Sequence, residues 1–177
     1  MATVPTSIRI SEDEYRRTTY EPECEFVDGA LLPKQMPKKL HSKLQKLLLL
    51  QLAAQESTLG IEVFPELRIH VAPGHYRVPD LALYTEAPDG DVPTNPPFLT
   101  IEIVSDTEGW QELRAKIADH KRMGVKTVII ADPYRQEVFV AGSDGLLHQL
   151  KAPGMLDVIL PNKQMLALDF SQLFGQL

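Results

Sequence analysis

Two stretches of the chain have apolar residues at helical spacing. The first extends from residue 37 to about residue 57, and Gly60 follows it as a stop signal. Its apolar face is formed by Leu40, Leu44, Leu47, Leu48 and Leu52. The second extends from about residue 109 to residue 123, with apolar residues on one side and Gly124 at its end. We therefore predict two amphipathic helices that lie against a sheet.

Shorter apolar runs, separated by turn residues, predict β-strands. An Asp-Gly pair divides CEFVDGALLP, residues 24–33, and another divides QEVFVAGSDGLLHQL, residues 136–150, so each segment predicts a hairpin. Residues 61–84 fit two strand-like runs joined around a Pro-Gly pair. We also expect a short capped helix over residues 169–174.

The stretch from Phe98 to Ala131 has the pattern of a strand, a helix and a second strand. PPFLTIEIVS is almost continuously apolar, which is typical of a strand covered on both faces, and VKTVIIADP follows the second helix directly. Such a unit implies a parallel strand pair with a right-handed crossover. With the hairpins it predicts a mixed-sheet α/β fold, formed as one domain by residues 1–177, with residues 1–19 as an N-terminal extension.

Composition narrows the class of protein. Of the 177 residues, 44% are hydrophobic and 24% are charged, and no apolar run reaches the ~18 residues of a membrane span. The N-terminus lacks the basic start and apolar core of a secretory signal, and Cys24 is the sole cysteine, so it cannot form an internal disulfide. We expect a cytoplasmic protein that has no membrane partner.

The net charge of −6 argues against a protein that coats nucleic acid without specificity, because such binding requires many phosphates to be neutralised. Any nucleic-acid contact should therefore be local. One candidate is a basic cluster without acidic residues, formed by Lys34, Lys38, Lys39, Lys43 and Lys46. The alternative, a solvated helix face, is equally compatible with so short a run.

A glutamate lies in the middle of the most apolar strand. Glu102 stands between Ile101 and Ile103, where an unpaired carboxylate would cost several kcal/mol. Asp80 begins the preceding strand, so two neighbouring strands can bring two carboxylates to one hard divalent cation. Lys116, on the following helix, can extend its ammonium to the same place. The three residues are candidates for a hydrolytic site in which a metal ion lowers the pKa of a bound water.

Each of these residues also has a purely structural interpretation. Asp80 follows a proline and can be a turn residue at the start of a strand. Lys116 follows Glu112 by four residues and can form an exposed helix pair worth only ~0.3–0.5 kcal/mol. Glu102 is harder to explain in this way, because its apolar neighbours leave the strand little exposed surface.

At several separate positions the chain resembles the Uma2 family, which is grouped with the restriction-endonuclease-like PD-(D/E)XK superfamily. The resemblance extends from about residue 20 to residue 174. The matching landmarks are Glu25 with Asp28-Gly29, His41, Pro79-Asp80, Glu102-Ile103-Val104-Ser105, Lys116, Gly124-Val125 and Asp132-Pro133. The interval of fourteen residues from Glu102 to Lys116 also agrees with the family.

The resemblance implies a restriction-endonuclease-like mixed central sheet flanked by helices, with extra N-terminal and C-terminal hairpins. It also implies Mg²⁺-dependent endonuclease cleavage of DNA, with Mn²⁺ as a substitute ion. Asp80 and Glu102 would bind the metal, and Lys116 would orient the attacking water or hold a phosphate oxygen.

Four positions depart from the pattern of the family or its superfamily. Val104 stands where a lysine usually follows the glutamate by two residues, so the role of that lysine would pass to Lys116. The other departures are Glu112, His120 and Ile129, which stand where the family usually has an aspartate, a tyrosine and a tryptophan. Of these residues, His120 lies one helical turn from Lys116 and can influence the site.

The resemblance also draws attention to residues near the first hairpin and the first helix. Glu25 would be a third or water-mediated ligand, and Lys38, Lys39 and His41 would contact nucleic acid. As alternatives, Glu25 pairs with a nearby lysine, and His41 is a satisfied residue at the start of the helix.

Three functions are compatible with these observations. The first is a metal-dependent endonuclease that acts on DNA. The second is a non-catalytic module on the same fold that binds nucleic acid or a protein. The third is a structural homodimer, for which Val138, Phe139 and Val140 would provide a strand edge.

Overall fold

The computed structural model describes residues 9–142, 144–150 and 154–177. The strands are β1 (Cys24–Val27), β2 (Ala30–Pro33), β3 (Glu62–Pro65), β4 (Ile69–Ala72), β5 (His75–Arg77), β6 (Leu81–Tyr84), β7 (Leu99–Ile103), β8 (Thr127–Asp132), β9 (Glu137–Ala141), β10 (Leu147–Gln149), β11 (Met155–Ile159) and β12 (Met165–Asp169). The helices are α1 (Glu12–Arg17), α2 (Lys39–Ala53), α3 (Glu56–Leu59), α4 (Trp110–Met123) and α5 (Phe170–Gly175). Among these helices, none is both long and apolar enough to cross a membrane.

The central sheet has six strands in the order β10-β9-β8-β7-β6-β3. Strands β7 and β8 are parallel and are joined by α4, whereas the other neighbours are antiparallel. The predicted strand–helix–strand unit and the mixed sheet are therefore confirmed. Leu44 and Leu48 of α2 pack with Ile101 in one apolar core, and Ile117 of α4 packs with Ile130 in another. Helices thus cover both faces of the sheet, so all of β7 is buried.

A second, four-stranded sheet has the order β2-β1-β5-β4. The predicted first hairpin forms it in part, and the turn places Asp28 at φ 49° and Gly29 at φ 86°, both in the left-handed region that a two-residue hairpin loop requires. Helix α1 packs Tyr15 against Phe26 and Tyr76, which gives this sheet an aromatic core of its own. Helix α1 belongs to the segment that we predicted as an N-terminal extension, and residues 1–8 of that segment lie outside the described residues.

Three predictions of secondary structure are wrong. Residues 61–84 form four short strands instead of two, because β4 and β5 leave the central sheet and β5 pairs with β1. The first helix begins at Lys39 and ends at Ala53, and α3 then forms a separate turn before Gly60. Strand β9 provides no free edge for a dimer, because β8 and β10 pair with it on both sides.

The C-terminal segment adds a hairpin that is separate from the central sheet. Strands β11 and β12 form a two-stranded sheet, and Leu166 and Leu168 enter the core shared with α2. The hairpin predicted over residues 136–150 is present as β9 and β10, but it belongs to the central sheet. The predicted capped helix is confirmed as α5, because the Asp169 carboxylate accepts a hydrogen bond from the Gln172 N–H.

Candidate active site

The pairing of β6 with β7 brings the main chain at Asp80 close to the main chain at Glu102. In this antiparallel pair Leu81 lies opposite Ile101, and Asp80 precedes Leu81 while Glu102 follows Ile101. The two side chains contact different helices, since Asp80 contacts His41 of α2 and Glu102 contacts two side chains of α4. Both carboxylates are buried. The sheet therefore places the two acidic residues that the sequence singled out at the same end of β6 and β7.

The Asp80 carboxylate is held by one main-chain group and two basic side chains. Its Oδ2 accepts a hydrogen bond of 2.6 Å from the Ile103 N–H and lies 3.3 Å from Nε2 of His41. Its Oδ1 lies 3.1 Å from Nζ of Lys34. Burial acts to raise the pKa of Asp80, but the charge of Lys34 and the contact with His41 outweigh it, so the pKa lies well below its ordinary value. Asp80 is therefore ionised at neutral pH.

The Glu102 carboxylate points toward α4 and contacts two of its side chains. Its Oε1 lies 2.9 Å from Nε2 of His120, and its Oε2 lies 3.4 Å from Nζ of Lys116. Burial acts to raise the pKa of Glu102, but Lys116 and His120 lower it below its ordinary value. Because an ionised carboxylate only accepts hydrogen bonds, His120 donates from Nε2. Its buried Nδ1 has no hydrogen-bond partner among the described residues.

Lys116 is a buried cation with two carboxylate partners. Its Nζ lies 2.7 Å from Oε1 of Glu108 as well as 3.4 Å from Glu102. Burial acts to lower the pKa of Lys116, but Glu102, Glu25 and Glu108 raise it far above its ordinary value. The ammonium can therefore orient a water or a phosphate oxygen, but it cannot act as a general base. The alternative of an exposed pair with Glu112 is wrong, because the partners of Lys116 lie outside α4.

Glu25 lies in the second sheet and is tied to α4 through an arginine. Its Oε2 accepts a hydrogen bond of 2.7 Å from Arg77, and its Oε1 accepts one of 3.1 Å from the Val78 N–H. Arg77 also lies 2.7 Å from the Asp119 carboxylate of α4. The alternative pairing of Glu25 with a lysine is therefore wrong. This buried Glu25–Arg77–Asp119 network connects the first hairpin to the helix that carries Lys116.

A cavity of about 430 Å³ opens onto these groups. Glu25, Asp80 and Lys116 lie in its wall, although they belong to the first hairpin, the start of β6 and α4. Glu102 lies behind the wall, in contact with Lys116. The fold thus gathers the four residues that we predicted to be catalytic at one place, and their roles in catalysis stay a prediction.

The donor set fits a hard divalent cation that is completed by water and substrate. Asp80 and Glu102 supply ionised oxygen atoms, which are the ligands that Mg²⁺ prefers. Within the described ranges, no three His, Cys, Asp or Glu side chains are grouped so that they could hold a metal ion by themselves. Mg²⁺ is commonly bound by one or two carboxylates together with waters and substrate phosphates, so two protein ligands are sufficient.

The residues of the predicted basic cluster are divided between the cavity and the surface. Lys34 lies in the cavity, where its Nζ donates to Glu66 and to Asp80. Lys38 forms an exposed ion pair with Asp106, and Lys39 is exposed at the start of α2. His41 is buried beside Asp80, which places it inside the site and not on a nucleic-acid-binding surface. Of the three residues predicted to contact nucleic acid, Lys39 is exposed and remains a candidate for a phosphate contact.

The sequence analysis did not assign three charged residues to the site. Lys34 was assigned to the surface cluster, and neither Arg77 nor Glu108 was singled out. Arg77 lies 52 residues from Glu25 along the chain, and their contact depends on the pairing of β1 with β5. The sequence offers one indication that Arg77 belongs to the site, because Arg77 precedes the Pro79-Asp80 landmark by two residues.

Comparisons with known proteins identify the family and the fold of the chain. The chain matches the model of the Uma2 family, described as "Putative restriction endonuclease", over residues 12–168. Its fold is similar to the crystal structure of a putative nuclease belonging to DUF820 from Anabaena variabilis, with a TM-score of 0.76, 23% sequence identity, and coverage of 94% of this chain and 98% of that one. At this identity the likeness shows the fold. No curated protein matches the chain.

Proposed function

The chain belongs to the Uma2 family of putative restriction endonucleases, and we propose that it is a Mg²⁺-dependent endonuclease that hydrolyses phosphodiester bonds in DNA. Family membership supports a nuclease-like function. The observation that carries the proposal is the pair of buried, ionised carboxylates at the end of β6 and β7, with Asp80 in the cavity wall and Glu102 behind it in contact with the cation Lys116. Such a group of charges has little structural purpose at the end of a sheet, because hydrophobic residues of similar size would often stabilise the fold as well or better.

Each residue has a defined task in the proposed mechanism. Asp80 and Glu102 would hold the metal ion, which when bound would supply a water of lowered pKa and offset charge on the phosphoryl group. Lys116 orients the attacking water or holds a phosphate oxygen, and its fixed positive charge stabilises negative charge that develops there. Glu25 lies near enough to Lys116 to raise its pKa, and it holds the first hairpin to α4 through Arg77.

A second candidate function is a module that binds nucleic acid or a protein without turnover. Two lysines already compensate the carboxylates, since Lys34 pairs with Asp80 and Lys116 pairs with Glu102. A site in which protein cations replace a metal ion would keep the fold and lose the reaction. Such a module would bind its partner equally well with and without divalent ions.

Incubation with supercoiled plasmid DNA distinguishes the two functions. The endonuclease should produce nicked and linear plasmid with Mg²⁺ or Mn²⁺, and removal of the ion with EDTA should stop the reaction because the nucleophile is no longer activated. The module should instead retard the plasmid in a gel without forming products. Intact plasmid in the presence of either ion, under conditions in which the protein binds it, would contradict the endonuclease proposal.

Replacement of Lys34 by methionine is expected to strengthen Mn²⁺ binding. The Nζ of Lys34 lies 3.1 Å from Oδ1 of Asp80 and competes with a metal ion for that oxygen. A ten-fold gain corresponds to about 1.4 kcal/mol, which is well within the ~4 kcal/mol that two unit charges exert on each other near a protein surface. Titration calorimetry without DNA measures the change. The exposed Lys46→Met variant is the control, and weaker or unchanged binding in Lys34→Met would show that Lys34 does not compete.

A further inference from the structure

A second cavity, of about 410 Å³, adjoins the first. Ser105 and Glu108 line both cavities, so the two are contiguous. The second cavity lies between the loop after β7, the start of α4 and the turn between β8 and β9. Its apolar wall is formed by Val104, Leu113 and Phe139.

Two aromatic side chains of this cavity are exposed. Trp110 is 47% exposed, and its ring packs edge-to-face on Phe139 at a centroid distance of 5.3 Å. Tyr134 is 38% exposed, and its main chain lies in a turn that Asp132 fixes by accepting hydrogen bonds from the Tyr134 and Arg135 N–H groups. The cavity therefore presents two aromatic rings, of which the Trp110 ring is held by Phe139.

The charges around the cavity are paired one to one with cations. Its three carboxylates form ion pairs, namely Asp106 with Lys38, Asp132 with Arg135 and Glu108 with Lys116. Because each cation already has a carboxylate partner, a phosphate group would find no unpaired cation among these residues. An uncharged, planar and polar-edged ligand would instead find aromatic faces together with hydrogen-bonding groups.

We propose that the second cavity binds an unpaired nucleobase of the DNA strand whose backbone lies at Asp80 and Glu102. Bases stack on Trp and Tyr rings, and the exposed guanidinium of Arg135 adds a further planar surface. A base in a continuous duplex is not free to enter a pocket, so the substrate has a single-stranded or unpaired nucleotide at the cleavage position. The statement that a DNA backbone lies at Asp80 and Glu102 rests on the proposed nuclease function. The base site is argued separately, from the residues that line the second cavity.

The fluorescence of Trp110 tests the base site directly, because Trp110 is the sole tryptophan of the chain. Titration with a thymidylate dodecamer in EDTA should quench the emission in a saturable way, and a blunt duplex of equal length should quench it much less. Tyr134→Ala should weaken binding of the labelled dodecamer about ten-fold in fluorescence anisotropy, because one stacking surface is lost. Ile159→Ala removes an even more exposed apolar side chain, on β11, and should leave binding unchanged.

The result separates this inference from the nuclease proposal. Quenching by the dodecamer that Tyr134→Ala weakens supports the base site, even if plasmid DNA is never cut, since the titration contains no divalent ion. Unchanged emission, or equal quenching by the duplex, overturns it. Plasmid cleavage with Mg²⁺ would in that case leave the nuclease function standing. Far-UV circular dichroism of Tyr134→Ala verifies that the variant is folded.

Discussion

Glu102→Gln is expected to slow metal-dependent cleavage of plasmid DNA by about 100- to 1000-fold, the effect of losing one preorganised electrostatic group in an active site. The amide has the size of the carboxylate and can still accept a hydrogen bond from His120, which lies 2.9 Å from Oε1. It lacks the charge that would hold the metal ion and that compensates Lys116. The initial rate of loss of supercoiled plasmid at saturating Mg²⁺ measures the effect.

Glu62→Gln is the matched control for this variant. Glu62 also lies in a strand of the central sheet, but it is exposed in the edge strand β3. The same chemical change there should leave the rate unchanged. If Glu102→Gln protein cleaved plasmid as fast as the wild type, Glu102 would have no part in the reaction and the proposed site would be rejected.

Arg77→Met is expected to lower the free energy of unfolding by about 3–5 kcal/mol, the cost of breaking a buried ion pair by removing one partner. Arg77 lies 2.7 Å from both Glu25 and Asp119, and all three side chains are buried. Methionine keeps much of the volume but leaves the buried Glu25 carboxylate without its cation and removes one partner of Asp119, which also pairs with Arg122. Urea unfolding at neutral pH, followed by far-UV circular dichroism, measures the loss, which is large relative to the ~5–15 kcal/mol of a typical domain.

Arg135→Met shows what is lost when the arginine of an exposed ion pair, instead of a buried one, is removed. Arg135 also pairs with an aspartate, Asp132, at 3.0 Å, but its side chain is 69% exposed. Solvent screens such a pair, so its loss should cost less than ~1 kcal/mol. Equal destabilisation by the two variants would contradict the view that the buried network fastens the first hairpin to α4.

The sequence predicted the parts of the molecule that depend on local pattern. The continuous apolar run of β7 and the glycine at the end of α4 indicated a strand–helix–strand unit, which the structure contains. Glu102 was conspicuous because a carboxylate in such a strand needs a partner, and it has His120 and Lys116. The Asp-Gly pair at Asp28 predicted the first hairpin for an equally local reason, because that loop requires positive φ angles.

The features that the sequence analysis missed depend on contacts between distant segments. Residues 61–84 contain strands of two different sheets, and strands of three or four residues carry too little alternation to be separated by pattern. Lys34 looked like one lysine of a basic surface, but it contacts Asp80, 46 residues away in the sequence. The order of the strands in the sheets decides which charged residues meet when they lie far apart in the sequence. Local periodicity does not predict that order.

The hydrogen bond between the Asp80 carboxylate and the Ile103 N–H has a consequence for ion selectivity. It fastens one proposed ligand to the very strand that carries the other, next to Glu102 in the chain. Because this bond holds the Asp80 carboxylate against β7, Asp80 would adapt little to the size of a bound ion. Mg²⁺ requires short, nearly octahedral contacts, whereas Ca²⁺ needs a wider and more adaptable shell. A ligand held in this way would therefore favour the smaller ion.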